Sequence, residues 1–254
     1  MKNTYDGLLE YYDELFPLDQ KCTDFILSQA ENYKNREQAA GPCPRPPRIL
    51  EIGCAAGITA LFLARQGMDL VGIDANEAMI RSANRRNHEP KSNARFFCMD
   101  MLSSPSYFPA GSFDMILCLE DNLAGLEDPG LIRSFLRQIH GLLADKGVFI
   151  FELINYDWVL DEYIEALPLI TTVRASYIQK YLRRPGGRLC LNSSVLAANG
   201  YPVFSEEKPL YPIGSGELGD ALDAAGFREK RFYSDFEESP LARGSMRLIG
   251  TART

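Results

Sequence analysis

The residues best suited to chemistry lie in a glycine-containing turn at positions 51–57, with the sequence Glu-Ile-Gly-Cys-Ala-Ala-Gly. Gly53 lets the backbone approach a ligand, and the helix predicted to follow offers unpaired N–H groups at its start. Asp74 stands 21 residues after Gly53, where its carboxylate would accept hydrogen bonds from the two hydroxyl groups of a ribose. The pattern therefore predicts a site for a nucleoside-containing ligand. The alternative is that Asp74 only caps the helix predicted at 76–86.

The turn departs from the glycine pattern that binds dinucleotides. That pattern places glycines at three spaced positions, and this chain has Ala55 and Ile58 at the second and third of them. The sequence therefore disfavours a pyrophosphate site. A nicotinamide-dependent oxidoreductase remains the rival interpretation from another enzyme class.

A second group of polar residues follows the apolar run at 113–119. Glu120, Asp121 and Asn122 come directly after it, and Asn155 and Tyr156 follow a later apolar run. Two carboxylates at the end of a buried strand suit an amine or cationic ligand, because opposite charges and hydrogen bonds orient it. The alternative is an ordinary solvated loop.

The elements that must position these residues alternate between strand and helix. Helices are predicted from Ile58 to the stop at Gly67, at 76–86 after the cap residue Asn76, and at 128–143 after Asp128. Strands alternating with helices pair in parallel through right-handed crossovers, which predicts a doubly wound sheet with its ligand at the carboxyl ends of the strands. The strands are predicted at 48–52, 70–74, 94–99, 113–119 and 147–153.

Outside this alternation the chain divides into further segments. Residues 1–47 are predicted as an N-terminal cap, with two short helices at 5–34 and a proline-rich linker at 38–47. Residues 169–212 are predicted as an inserted antiparallel β lid, which is also a possible homodimer contact. The core then comprises 48–168 and 213–254, the latter with a helix at 215–225 and an antiparallel hairpin from 227–236 and 245–252.

Composition narrows the class of partner. A net charge of −7 and a pI near 5.0 disfavour nucleic acid, and no apolar run is long enough to predict a membrane span. We therefore expect a cytoplasmic protein. The cysteines and two histidines show no metal-ligand spacing, so no metal is expected. Cys98 and Cys118 lie in apolar runs and are predicted to be buried.

Residues 49–80 resemble motifs I and II of the class I S-adenosylmethionine-dependent methyltransferases, whose usual form is (D/E)xGxGxG followed by an acidic residue after the second strand. The resemblance implies a Rossmann-like, seven-stranded doubly wound sheet with an antiparallel last strand. It also implies that Asp74 holds the cofactor ribose and Asp100 the adenine, with Ala55 replacing the middle glycine. The implied cofactor-binding residues are Tyr12, Glu51, Gly53, Ala55, Gly57, Asp74, Ala75, Met79, Asp100, Met101 and Leu119.

Residues 113–128 and 151–160 resemble the glycine N-methyltransferase-like branch of that family. In that branch an arginine that pairs with the substrate carboxylate precedes Asn-Tyr-Asp, and this chain has Ile154 there. We therefore expect methyl transfer to a small amine rather than to glycine or a free carboxylic acid. The expected catalytic residues are Glu120, Asp121, Asn122 and Tyr156. A small-molecule O-methyltransferase and a non-catalytic cofactor-binding protein are the alternatives.

Overall fold

The computed structural model describes residues 4–38, 45–88 and 92–254. The predicted linker at 38–47 lies partly outside these ranges. The α-helices are α1 (Thr4–Leu9), α2 (Tyr12–Leu15), α3 (Gln20–Gln38), α4 (Ile58–Arg65), α5 (Glu77–Arg86), α6 (Pro129–Leu142), α7 (Tyr156–Asp161) and α8 (Ser215–Ala225). The strands are β1 (Arg48–Ile52), β2 (Asp69–Asp74), β3 (Ala94–Cys98), β4 (Phe113–Cys118), β5 (Leu143–Ile154), β6 (Ile170–Thr171), β7 (Ala175–Arg183), β8 (Leu189–Ala197), β9 (Pro202–Leu210), β10 (Glu229–Tyr233) and β11 (Arg247–Arg253).

The larger sheet is the doubly wound sheet expected from the alternation of strands and helices. Its seven strands follow the order β10-β11-β5-β4-β1-β2-β3. Strands β1 to β5 pair in parallel, and β11 runs antiparallel to both β5 and β10. The predicted fold class is therefore confirmed, including the antiparallel last strand.

Helices cover both faces of this sheet. Alternate residues of each strand point to opposite faces, so Leu50 and Ile116 pack with Phe135 of α6, while Ile49 and Met115 belong to the cluster on the other face. That second cluster includes apolar side chains of α3, α4 and α5. Burial on both faces explains the nearly continuous apolar runs of the central strands.

The predicted ends of three helices are confirmed. The Asn76 side chain accepts from the N–H groups of Ala78 and Met79, and Asp128 caps α6 in the same way. Helix α8 ends at Gly226, whose φ of 102° is in the left-handed region that favours glycine. Local capping chemistry therefore fixes these boundaries.

The N-terminal segment differs from its prediction. It forms three helices rather than two short ones, and the third, α3, has 19 residues. Phe25 and Ile26 of α3 are buried against the large sheet, and this packing stabilises a helix longer than its weak sequence pattern indicated. None of the described helices is long and apolar enough to cross a membrane.

A second, four-stranded antiparallel sheet has the order β6-β7-β8-β9 and lies in the chain between α7 and α8. Val195 and Phe204 of this sheet pack in one apolar cluster with Leu8 and Tyr12 of the N-terminal helices. Arg174, just before β7, forms ion pairs with Glu10 and Glu14. The second sheet and helices α1 and α2 therefore contact each other directly.

The prediction that Cys98 is buried is wrong. Cys98 is exposed, as is much of the neighbouring Phe97 side chain. The reason is that β3 is the outermost strand of the sheet, which the apolar run alone did not reveal. Cys118, on the central strand β4, is fully buried as expected.

Candidate active site

A cavity of about 810 Å³ opens at the carboxyl ends of the parallel strands. Its walls come from the loops after β1, β2, β3 and β4, from the ends of β5 and β11, from α1 and α2, and from the second sheet. Of the residues predicted for the site, it brings together Tyr12, Gly53, Ala55, Asp74, Ala75, Met79, Asp100, Met101, Glu120, Asp121 and Asn122. Its place in the fold is the expected one for a doubly wound sheet.

The glycine turn forms the floor of this cavity. Gly53 and Gly57 have φ values of 74° and 77°, a conformation that glycine adopts at little cost. A side chain at Gly53 would collide with the Asn122 amide. Ala55 also has a positive φ, of 45°, so this alanine adopts the conformation that suits a glycine.

Asp74 holds the turn in place. One carboxylate oxygen accepts from the N–H of Ala55 at 2.9 Å and the other from the N–H of Asn76 at 2.7 Å. Burial raises the pKa of Asp74, and these two hydrogen bonds oppose that rise. Asp74 lies at the cavity, as the ribose interpretation requires. It also accepts from the N–H of Asn76 next to α5, although the side chain that caps α5 is that of Asn76.

The next loop places Asp100 and Met101 on the cavity wall. The Asp100 side chain accepts from the N–H of Leu102 at 2.9 Å and caps a short 3₁₀ turn. This hydrogen bond fixes the loop and leaves the second carboxylate oxygen for another donor.

The loop after β4 has a tight, defined conformation. Glu120 and Asp121 have φ values of 54° and 64°. Asp121 accepts from the Tyr156 hydroxyl at 2.6 Å and from the N–H of Ile154 at 3.1 Å. The Asn122 amide donates to the carbonyl of Leu119 at 2.6 Å. These contacts give Asp121 and Asn122 a structural task within the loop.

Glu120 differs from its two neighbours. Its side chain is accessible from the cavity, and protein atoms surround it on its other sides. Burial raises its pKa to about 7, with a further contribution from Glu152 that Arg247 opposes. Burial also raises the pKa of Asp121 to about 7 and that of Glu152 above its usual range. The cavity therefore contains carboxyl groups that change their protonation state near neutral pH.

Four predicted site residues do not line the cavity. Tyr156 is buried, with 1% of its surface exposed, and it reaches the site only through its hydrogen bond to Asp121. Glu51 lies beneath the glycine turn, Gly57 packs against Phe96, and Leu119 is buried. Asn155, the other loop residue, is also buried, and its amide donates to the carbonyl of Ser245.

Four charged residues of the cavity were not predicted from the sequence, namely Glu152, Glu206, Lys208 and Arg247. Glu152 lies inside an apolar strand run, and Arg247 is 93 positions further on than Ile154. The antiparallel register between β11 and β5 places Arg247 opposite Ile154. No local sequence signal links these positions, because the register depends on the folded sheet.

Comparisons with known proteins agree with this geometry. Residues 49–147 match a family model described as a methyltransferase domain. The putative methyltransferase GWCH70_2453 of Geobacillus sp. (strain WCH70) is 27% identical over 59% of this chain and 57% of its own length. Human glycine N-methyltransferase is 26% identical over 44% of this chain and 42% of its own length.

A solved S-adenosylmethionine-dependent methyltransferase of Clostridium acetobutylicum ATCC 824 has the same fold over nearly the whole chain. The TM-score is 0.78 at 17% identity, and the match covers 99% of each chain. Residues 49–147 therefore match a methyltransferase domain, and nearly the whole chain has the fold of a solved S-adenosylmethionine-dependent methyltransferase. The resemblance seen in the motifs of residues 49–80 is therefore confirmed. The chain matches 57% and 42% of the lengths of these two curated relatives.

Proposed function

We propose that this methyltransferase transfers the methyl group of S-adenosylmethionine to the nitrogen of a small amine held in the cavity. The observation that carries the proposal is the position of Glu120, a carboxyl group that faces the cavity with a pKa of about 7. Glu152 lies beside it. Carboxylates in this position attract an ammonium group and can accept a proton from it. A nitrogen acceptor also agrees with the name of the human relative.

The cofactor site in this proposal is the floor of the cavity. Gly53 and Ala55 leave the backbone open to the cofactor, and Asp74 offers carboxylate oxygens to its ribose. Asp100 with Met101 would hold the adenine, and Tyr12 would cover the cofactor from α2. The residues present fit this cofactor, because the glycine turn and the Asp74 and Asp100 carboxylates line one cavity. The remaining predicted wall residues are Ala75 and Met79.

Methyl transfer requires the protein only to position the acceptor amine and to remove its proton. S-adenosylmethionine, when bound, would supply an electrophilic methyl group on a sulfonium, and a neutral thioether would be left once the amine nitrogen has taken that group. The amine must reach the methyl carbon within about 3–3.5 Å and in line with the breaking bond. Glu120 would orient the amine and take its proton. Asp121, Asn122 and Tyr156 would then hold the loop that positions Glu120, rather than touch the acceptor.

We also propose that residues 169–212 act as a lid. The second sheet contributes Tyr177, Gln179 and Ser193 to the cavity wall. Its contact with the N-terminal helices includes the ion pairs of Arg174 as well as apolar packing. Ligand binding beneath these elements would order them together. The proposed domain division assigns residues 1–47 to the cap and linker, and residues 48–168 and 213–254 to the core.

Titration calorimetry tests the cofactor site. We expect Asp74→Ala to weaken S-adenosylmethionine binding by about 10-fold or more, because a charge-assisted pair of hydrogen bonds to the ribose is lost. Asp69→Ala is the matched control, since Asp69 lies at the opposite end of β2 and pairs with Arg95. Unchanged affinity in Asp74→Ala would exclude Asp74 as the ribose partner.

Glu120→Gln tests the acceptor proposal, with release of the demethylated cofactor measured across amines, amino acids, phenols and thiols. We expect amines to be preferred and Glu120→Gln to lower kcat/KM by about 100-fold. The ratio of wild type to variant should grow with pH up to about 7 and then level off, because the carboxylate form acts as the base. Glu127→Gln is the control, since Glu127 is exposed outside the cavity. Preference for phenols, or a ratio independent of pH, would contradict the proposal.

A further inference from the structure

The cavity contains one arginine among its acidic groups. Arg247 is the first residue of β11, and it pairs in register with Ile154 at the end of β5. Both residues line the cavity. Directly paired residues of antiparallel strands have Cβ atoms about 5 Å apart. The guanidinium group therefore enters the wall beside the loop that carries Glu120 and Asp121.

The contacts of Arg247 leave it able to bind a ligand. Its Nη1 atom lies 3.2 Å from Glu152 Oε1 and 3.6 Å from Asp19 Oδ2. Among the described residues, the Arg247 guanidinium makes no contact with hydrogen-bond geometry, and 41% of its side chain is exposed. Both ion pairs use the Nη1 atom, and a guanidinium has five N–H donors, so an incoming anion can share Arg247 with Glu152 without displacing it.

The second cation of the cavity wall is placed differently. Lys208 belongs to β9 of the second sheet and pairs with Glu206 at 3.1 Å. Its positive charge lowers the pKa of Asp74, which lies on the side of the cavity proposed for the cofactor. The positive charge of Arg247, in contrast, lowers the pKa of Glu120. Arg247 and Glu120 therefore form a positive and a negative end of one acceptor region.

We infer that Arg247 binds a carboxylate of the acceptor, whose amine faces Glu120. The acceptor would then be an amino acid or a similar amine that carries a carboxylate. A guanidinium matches a carboxylate because two parallel N–H groups can donate to its two oxygens. This inference rests on the proposed nitrogen transfer. It revises the expectation, drawn from the missing arginine at Ile154, that the acceptor carries no carboxylate, because that expectation took no account of the residue opposite Ile154.

The kinetic test compares amino acids with their amides, which keep the amine and lose the negative charge. We expect wild type to prefer the amino acid, and Arg247→Gln to lower its kcat/KM by about 30-fold or more, mainly through KM, while the amide changes less than about threefold. Arg247→Lys should retain part of the preference, since it keeps the charge without the fork of donors. Arg243→Gln is the control, because Arg243 lies outside the cavity lining and pairs with Asp161.

A relocation variant, Ile154→Arg with Arg247→Ile, keeps one arginine at the same pair of positions. Recovery of part of the preference there would support a role in binding over a role in folding. An equal loss for amino acids and amides in Arg247→Gln would overturn the inference, since Arg247 would then only balance the charge of Glu152.

Binding of acids that lack an amine separates this inference from the proposed function. Propionate and benzoate are titrated into the protein with the demethylated cofactor present. If they bind wild type and not Arg247→Gln while no amine is methylated, Arg247 is an anion site and the nitrogen transfer is wrong. If amines are methylated and these acids bind both proteins equally or neither, the carboxylate site is wrong and the proposed function stands.

Discussion

The structure sets both the sign and the size of the effect of Glu51 on the stability of the protein at different pH values. Its side chain lies beneath the glycine turn with 5% of its surface exposed. It receives one hydrogen bond, from the N–H of Ala60 in the first turn of α4, and its Oε2 atom has no hydrogen-bond partner among the described residues. Burial, followed by the charges of Glu120 and Asp74, raises its pKa to about 8.

The raised pKa makes stability fall as pH rises. Below the usual value of 4.5 the carboxyl is protonated in both the folded and the unfolded chain, so it has no effect. Between 4.5 and about 8 the folded protein holds a proton that the unfolded chain has released, and each pH unit costs about 1.4 kcal/mol. The upper limit is about 5 kcal/mol. We expect about 2–3 kcal/mol, because protonation of Glu120 and Asp74 relieves part of the repulsion.

Glu51→Gln should therefore match wild type near pH 5 and exceed its stability by about 2–3 kcal/mol above pH 8. The glutamine keeps the shape of the protonated acid and cannot ionise. Urea unfolding followed by far-UV circular dichroism, without cofactor, at half-unit steps from pH 5 to 8.5 gives the difference directly. Glu77→Gln is the control, since Glu77 is an exposed residue of α5 paired with Arg81. A difference that stays within about 0.5 kcal/mol across the whole range would refute the reasoning.

Three further changes test the turn and the lid. Gly53→Ala should cost about 1–3 kcal/mol of stability and abolish cofactor binding, because the new methyl group collides with the Asn122 amide at a positive φ; tight binding in calorimetry would contradict this. Ala55→Gly should raise the free energy of unfolding by about 0.5 kcal/mol by removing the strain of its positive φ, and a clear loss in urea unfolding would count against it. Hydrogen exchange across 169–212 should slow when S-adenosylmethionine is added, whereas cofactor-independent protection there would rule out a lid.

The sequence by itself determined the features that depend on neighbouring residues. The strands of the core follow from apolar runs, and the helix starts from the capping side chains of Asn76 and Asp128. The glycine turn and Asp74 lie within one strand-turn-helix-strand unit, so their spacing alone brought them to one site. Each of these signals acts over a few residues or a single crossover, and that is why it can be recognised without coordinates.

Tertiary structure decided the features that depend on which segments become neighbours. Cys98 is exposed because β3 is the edge strand, and an apolar run does not state its place in the sheet. The Tyr156 hydroxyl donates to Asp121, a contact between two loops that the sequence did not predict. Arg247 enters the site only because β11 pairs antiparallel with β5 in one register. Strand order and register are set by packing of the whole chain, so the charge pattern of the acceptor region emerged only from the folded protein.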